Sequence, residues 1–72
     1  MAKWSLMSPM LGTILEVLVS AGETVKKGDL LVIMEDIKIE TGLAAECGGV
    51  VHEVRVKEGE PVDMGEELVT IV

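Results

Sequence analysis

The run Met34-Glu35-Asp36-Ile37-Lys38-Ile39-Glu40 holds the most suggestive chemistry in the chain. Lys38 offers a primary amine between two isoleucines, with carboxylates at 35, 36 and 40. Such an amine can be acylated by an activated acyl donor, paired with an acid, or simply solvated. The carboxylates could do acid–base work, but that is the lesser reading. They read as solvated flanks that keep the segment soluble and shape what a partner sees. Lys26 and Lys27 lie in Lys26-Lys27-Gly28-Asp29, without apolar flanks, and read as turn lysines. His52 is the only histidine and has no histidine or cysteine close by in sequence, so it reads as a partly buried strand residue. Cys47 is the only cysteine, which excludes an intrachain disulfide and a cysteine metal cluster. Before Gly48-Gly49 it reads as a small buried filler. The methionines read as core packing. No Gly-x-Gly-x-x-Gly or Gly-Lys-Ser/Thr run cradles a phosphate. With no nucleophile–base pair and no metal constellation, an enzyme with its own active site is the least supported class.

The elements that position Lys38 come from a duplication. Residues 12–35 moved forward by 37 fall on 49–72 with ten identities in 24 positions and no gap. These are Gly12/Gly49, Glu16/Glu53, Val17/Val54, Val19/Val56, Gly22/Gly59, Glu23/Glu60, Val25/Val62, Gly28/Gly65, Leu31/Leu68 and Val32/Val69. Two copies are too few for a solenoid and predict one small domain, residues 1–72, with internal two-fold pseudosymmetry. Lys38 stands in the bridge between the copies, residues 36–48.

Each copy opens on a β-branched run, Thr13–Val19 and Val50–Val56. Period-two alternation predicts half-buried strands, with Leu15, Val17 and Val19 facing inward alongside Val54 and Val56. Turns follow at Ser20–Glu23 and Lys57–Pro61, and again at Lys26–Asp29 and Asp63–Glu66. The runs Leu30–Met34 and Leu68–Val72 alternate poorly, as expected of strands covered on both faces. Trp4–Ser8 and Ile39–Ala44 are further strands. About eight short strands with glycine-rich turns and no sustained helical period predict an all-β sandwich or barrel. Leu30–Glu35 and Ile39–Ala44 form a hairpin with Ile37 and Lys38 at its tip. Ile-Lys is poor chemistry for a two-residue turn that needs positive φ, and a broken local rule is a marker of function.

Seventy-two residues make one domain at most. Without Phe or Tyr, and with Trp4 the only aromatic, the core must be aliphatic. A net charge of −7 argues against nucleic acid and against an anionic membrane surface. No apolar segment is long enough for a signal peptide or a membrane span. Neither membrane insertion nor secretion is expected; the expected location is cytoplasmic, and the lone thiol fits a reducing compartment.

Around Lys38 the chain resembles the biotinyl/lipoyl carrier domains, over roughly residues 5–72. Biotinyl domains carry Glu-Ala-Met-Lys-Met at the hairpin where this chain has Glu35-Asp36-Ile37-Lys38-Ile39. Ser8-Pro9-Met10-Leu11-Gly12 is similar to the family's Ser-Pro-Met-Pro-Gly. The turns Ala21-Gly22-Glu23, Lys27-Gly28-Asp29 and Glu58-Gly59-Glu60 are similar as well. The resemblance implies a flattened β-barrel of two four-stranded antiparallel sheets, with the lysine at one end and the termini at the other. It implies biotin joined by an amide to Lys38, with Ile37 and Ile39 as its apolar flanks and Glu35 and Asp36 recognised by the ligase. The implied partners are a biotin protein ligase, a biotin carboxylase and a carboxyltransferase. The domain itself would be a non-catalytic carrier in a carboxylase or decarboxylase, its tethered arm serving two active sites. The loop after Val19 has no room for the protruding thumb of some acetyl-CoA carboxylase carriers. Lipoyl domains place Asp directly before the lysine, whereas here Ile37 intervenes. A lipoyl carrier of a 2-oxo acid dehydrogenase or glycine cleavage type complex, with lipoate on Lys38, is the alternative. A third reading, from another class, is an unmodified barrel serving as an assembly module.

Overall fold

The computed structural model describes residues 3–72; Met1 and Ala2, which the single-domain reading includes, lie outside the described residues. The strands are β1 (Trp4–Met7), β2 (Gly12–Val17), β3 (Thr24–Val25), β4 (Leu30–Glu35), β5 (Glu40–Ala44), β6 (Gly49–Val54), β7 (Pro61–Val62) and β8 (Glu67–Ile71). They form two antiparallel four-stranded sheets, ordered β1-β8-β6-β3 and β5-β4-β2-β7. The fold is the expected all-β flattened barrel-sandwich. No helix occurs among the described residues, so none is long and apolar enough to cross a membrane.

The duplication governs this topology. The 37-residue offset carries β2 onto β6, β3 onto β7 and β4 onto β8, and it carries the first sheet's strand order onto the second's. The loops follow the same rule. The Gly22 N–H donates to the Val51 carbonyl at 2.8 Å, and the Gly59 N–H to the Ile14 carbonyl at 2.7 Å, so each half's turn is tied to the other half's strand. Glu23 and Glu60 accept from the Ser20 and Lys57 amides, and Asp29 and Glu66 from those of Lys26 and Asp63. Gly22, Gly28, Gly59 and Gly65 hold φ between 87° and 95°, a region that favours glycine at these tight turns.

Four strands carry a register shift, and these shifts also match between the halves. Leu15 is the extra residue of β2 opposite β4, and His52 that of β6 opposite β8. Leu31 is extra in β4 opposite β5, and Leu68 in β8 opposite β1. A bulge shifts the in–out alternation by one residue. Leu15, expected inward, is therefore exposed, while Ile14 is fully buried. His52, expected partly buried, is exposed for the same reason. The bulges also explain why Leu31 and Val32, like Leu68 and Val69, are buried in succession.

The eight largest fully buried side chains form four pairs under the repeat: Ile14/Val51, Leu31/Leu68, Val32/Val69 and Met34/Ile71. Each such burial contributes roughly 1.5–3 kcal/mol, and the core is aliphatic as expected. Cys47 is half-buried against it. Met34 is core, but Met7 and Met64 are exposed, contrary to the sequence reading of the methionines.

The molecule measures 32 × 20 × 17 Å. β1 starts beside the end of β8, with Trp4 opposite Ile71. From there the chain runs through β1 and residues 8–11 to Gly12, which lies against Glu35 at the base of the β4–β5 hairpin. The hairpin tip thus lies at the end opposite Trp4 and Ile71. Gly12 permits the approach at one end, where an added Cβ would stand 2.8 Å from the Glu35 carbonyl oxygen. Gly49 does the same at the other, 2.5 Å from that of Val72.

Candidate functional site

The β4–β5 hairpin closes on the cross-strand pair Glu35–Glu40, leaving Asp36-Ile37-Lys38-Ile39 as its tip. The Asp36 N–H donates to the Ile39 carbonyl at 3.0 Å. Asp36 Oδ1 then accepts from the backbone amides of Lys38 at 3.1 Å and Ile39 at 3.3 Å. This is an Asx turn, in which a side-chain oxygen takes the place of a backbone carbonyl. It answers the turn-chemistry problem read from the sequence. No described non-glycine residue has positive φ, because Asp36 supplies the acceptor that a tighter turn would take from the backbone.

The tip is held yet exposed. Lys38 is exposed, and its ammonium makes no hydrogen bond or ion pair among the described residues, whereas the Lys3 ammonium donates to the Gly48 carbonyl at 2.7 Å. Ile37 is 97% exposed and Ile39 59%, so neither serves the core. Two adjacent solvated isoleucines are costly to leave in water unless something covers them in use.

The crossing from β1 to β2 supplies the neighbouring wall. Buried Ser8 donates from Oγ to the Met10 carbonyl at 2.6 Å and sits 3.4 Å from Met34 Sδ. That fixes residues 8–11 and sets exposed Leu11 and close-packed Gly12 beside the hairpin. Thr13 pairs with both Glu35 and Pro61, which brings β7 to the same end. An open cleft of about 890 Å³ results, with Leu11, Pro61, Ile37 and Ile39 as its apolar walls and Lys38 at its edge.

All five residues singled out from the sequence, Glu35, Asp36, Ile37, Lys38 and Ile39, therefore lie together. Glu35 is half-buried at the base, while the other four are exposed. Leu11, Thr13 and Pro61 were not anticipated as site residues. The signal for Pro61 lay in the repeat, since β7 must meet β2 as β3 meets β6. Among the described residues no group of three or more His, Cys, Asp or Glu is placed to hold a metal ion. The arrangement presents one nucleophilic amine on a rigid post, with apolar surface next to it. It can hold an acyl group by an amide.

Comparison with known proteins agrees with this geometry. Residues 5–71 match the family described as biotin-requiring enzyme. The chain is 42% identical over 64 residues to a biotin carboxyl carrier protein of Streptococcus mutans, covering 89% of this chain and 49% of that one. It is 45% identical over 62 residues to a pyruvate carboxylase of Bacillus subtilis, covering 86% of this chain and 5% of that enzyme. Among solved structures, the urea carboxylase of Kluyveromyces lactis superimposes with a TM-score of 0.88 at 29% identity, covering 96% of this chain and 6% of that one. The chain thus spans about half the length of the carrier protein and a small part of the two carboxylases.

Proposed function

Because this chain belongs to the biotin-requiring enzyme family of biotinyl/lipoyl attachment domains, we propose that it is a biotin carboxyl carrier domain with biotin amide-linked to Lys38 Nζ. The observation that carries the assignment of Lys38 is its place: an unpaired, exposed amine at the junction of two pseudosymmetric halves, on a tip tied down by Asp36. The residues fit the group. A long apolar arm leaving Nζ starts beside a cleft that offers it Ile37, Ile39, Leu11 and Pro61, with Glu35 and Asp36 also on the lining.

Biotin would supply the site for carboxyl transfer. The chain's own residues do the holding and presenting. The Lys38 ammonium loses one proton to become the attacking amine and a second as the C–N bond forms and the activating group leaves the acyl carbon, so the amide removes one positive charge and takes the net charge from −7 to −8. Asp36 keeps the backbone turned so that Lys38 points away from the sheets. The two sheets act as a rigid post, so the arm's reach comes from the lysine and the cofactor chain. Tethering raises the effective concentration of the arm's end at each site it visits. The partners consistent with this role are a ligase, a biotin carboxylase and a carboxyltransferase, and the location is the cytoplasm.

The test is intact mass after incubation with biotin, ATP and a broad-specificity biotin ligase. A gain of one biotinyl group, absent in Lys38→Arg, is expected. No gain, or a gain that survives Lys38→Arg, overturns the assignment. A parallel reaction with lipoate and its ligase separates the lipoyl alternative, and silence in both leaves the unmodified assembly module.

A further inference from the structure

The duplication provides an internal control for what the fold requires on its surface. Positions related by 37 residues have the same place in the same architecture, so a difference between them is not dictated by folding. On the outer face of the β1-β8-β6-β3 sheet stand exposed His52 and Arg55 and half-buried Glu67, with Thr70 beside them buried and its Oγ1 without a hydrogen-bond partner among the described residues. Arg55 bridges Glu53 at 3.2 Å and Glu67 at 3.5 Å. The equivalent positions on the β5-β4-β2-β7 sheet are Leu15, Leu18, Leu30 and Ile33. Leu15, Leu18 and Leu30 are 38%, 39% and 48% exposed. The Arg55–Glu67 contact shows that Leu18 and Leu30 hold neighbouring positions on their face. Leu30 also reaches across the strand pair, its Cδ2 lying 2.9 Å from where a Cβ of Gly42 would stand. Ile33 is paired with Gly42 on one side and Glu16 on the other. Leu15, Leu18, Leu30 and Ile33 thus share this face with one exposed acid, Glu16, the mate of Glu53, and at three of the four positions the other half carries a polar side chain open to solvent. The polar sheet keeps one long aliphatic group in return, Met7 where the other has Ala44.

Charge decides what can cover the patch. The strands of this sheet carry Glu16, Glu35 and Glu40 and neither lysine nor arginine. A second copy bound about a two-fold axis would set the same acids against each other, on a molecule of net charge −7. A partner with aliphatic side chains rimmed by lysine or arginine meets both features. The position suits a carrier as well. Leu30 starts β4 and the Lys38 tip follows the end of that strand, so at ~3.3 Å per residue Leu30 lies about 16 Å along the strand from its tip end and Ile33 about 7 Å.

We infer that the outer face of the β5-β4-β2-β7 sheet is a docking surface for a basic-rimmed aliphatic face on a protein component of the carboxylase that this carrier serves. The inference rests on the carrier reading for the partner's identity. It implies that the domain is held by its flank while the Lys38 arm remains free to move.

The test borrows its substitutions from the other half. Leu18→Arg with Leu30→Glu copies the Arg55–Glu67 pair onto the aliphatic sheet. The double variant should keep its thermal midpoint and its biotinylation rate, which separates this inference from the attachment assignment. Biotinylated wild type and variant are then titrated against the purified cognate biotin carboxylase and carboxyltransferase at low and high salt. At least ten-fold weaker binding of the variant to one component is expected, with wild-type affinity falling as salt rises. Equal affinities, salt-independent binding, or no binding of wild type to either component overturns the inference. So does a wild-type dimer in sedimentation that the variant abolishes. Should the double variant unfold, Leu15→His and Ile33→Thr, drawn from the same comparison, are titrated singly. Each should weaken binding at least three-fold, and unchanged affinity in both overturns the inference.

Discussion

Replacing Asp36 with alanine should loosen the lysine-bearing tip while leaving the barrel intact. The carboxylate accepts two backbone amides, Lys38 at 3.1 Å and Ile39 at 3.3 Å, both in an exposed setting. A net hydrogen bond contributes roughly 0.5–1.5 kcal/mol, and losing a comparable side-chain cap at a helix start costs about 1 kcal/mol. One oxygen shared between two solvated donors belongs at the low end, so the pair together is taken as ~1 kcal/mol. That is about a five-fold change in the ratio of closed to open tip. Amide hydrogen exchange at Lys38 and Ile39 reads this ratio directly and should speed up about five-fold in Asp36→Ala. The initial rate of biotinylation should fall by no more than about the same factor, since a tip still mostly closed hides part of the effect. Asp36→Asn keeps an acceptor oxygen but no charge, and should stay near wild type in both assays. Unchanged exchange in Asp36→Ala would refute the capping argument. An asparagine variant as slow as the alanine one would mean that the ligase reads the negative charge and not the turn.

Two further outcomes follow from the geometry. Gly49→Ala sets a methyl 2.5 Å from the Val72 carbonyl oxygen and 2.6 Å from Ile71 Cγ2, so backbone must move. Overpacking of this kind costs about 1–3 kcal/mol, and the melting midpoint by circular dichroism should fall by at least ~4 °C; an unchanged midpoint would show that the two strands can part without cost. At the tip, Ile37→Met with Ile39→Met should raise the initial biotinylation rate, because unbranched thioether chains adapt to a ligase surface where β-branched ones cannot. An equal or slower rate in a ligase time course would count against the isoleucines as the weak point.

The fold was legible because the duplication is written at a constant offset. Gly12/Gly49 and Gly28/Gly65 mark the same close approach and the same turn in both halves, and a repeat without gaps must fold into equivalent units. What stayed hidden was the phase of alternation. Leu15 and His52 are bulge residues in corresponding strands. The repeat aligns one bulge with the other, so comparing the halves cannot expose an extra residue that both contain. The place of Lys38 was legible from the bridge between the copies. The means of holding it was not, because Asp36 becomes an acceptor only after the chain has turned to bring two later amides back to it. Pro61 and Leu11 escaped notice because each reaches the tip through pairing or crossing between distant strands, which no local pattern records.

The placement of the hairpin tip opposite Lys3 and Val72 has an architectural consequence. Polypeptide spliced to Lys3 or Val72 would leave from the pole farthest from the amine, across the 32 Å length of the molecule. The unit can therefore be strung into a larger chain as a cassette, tethered at its base, without a neighbour crowding the working end.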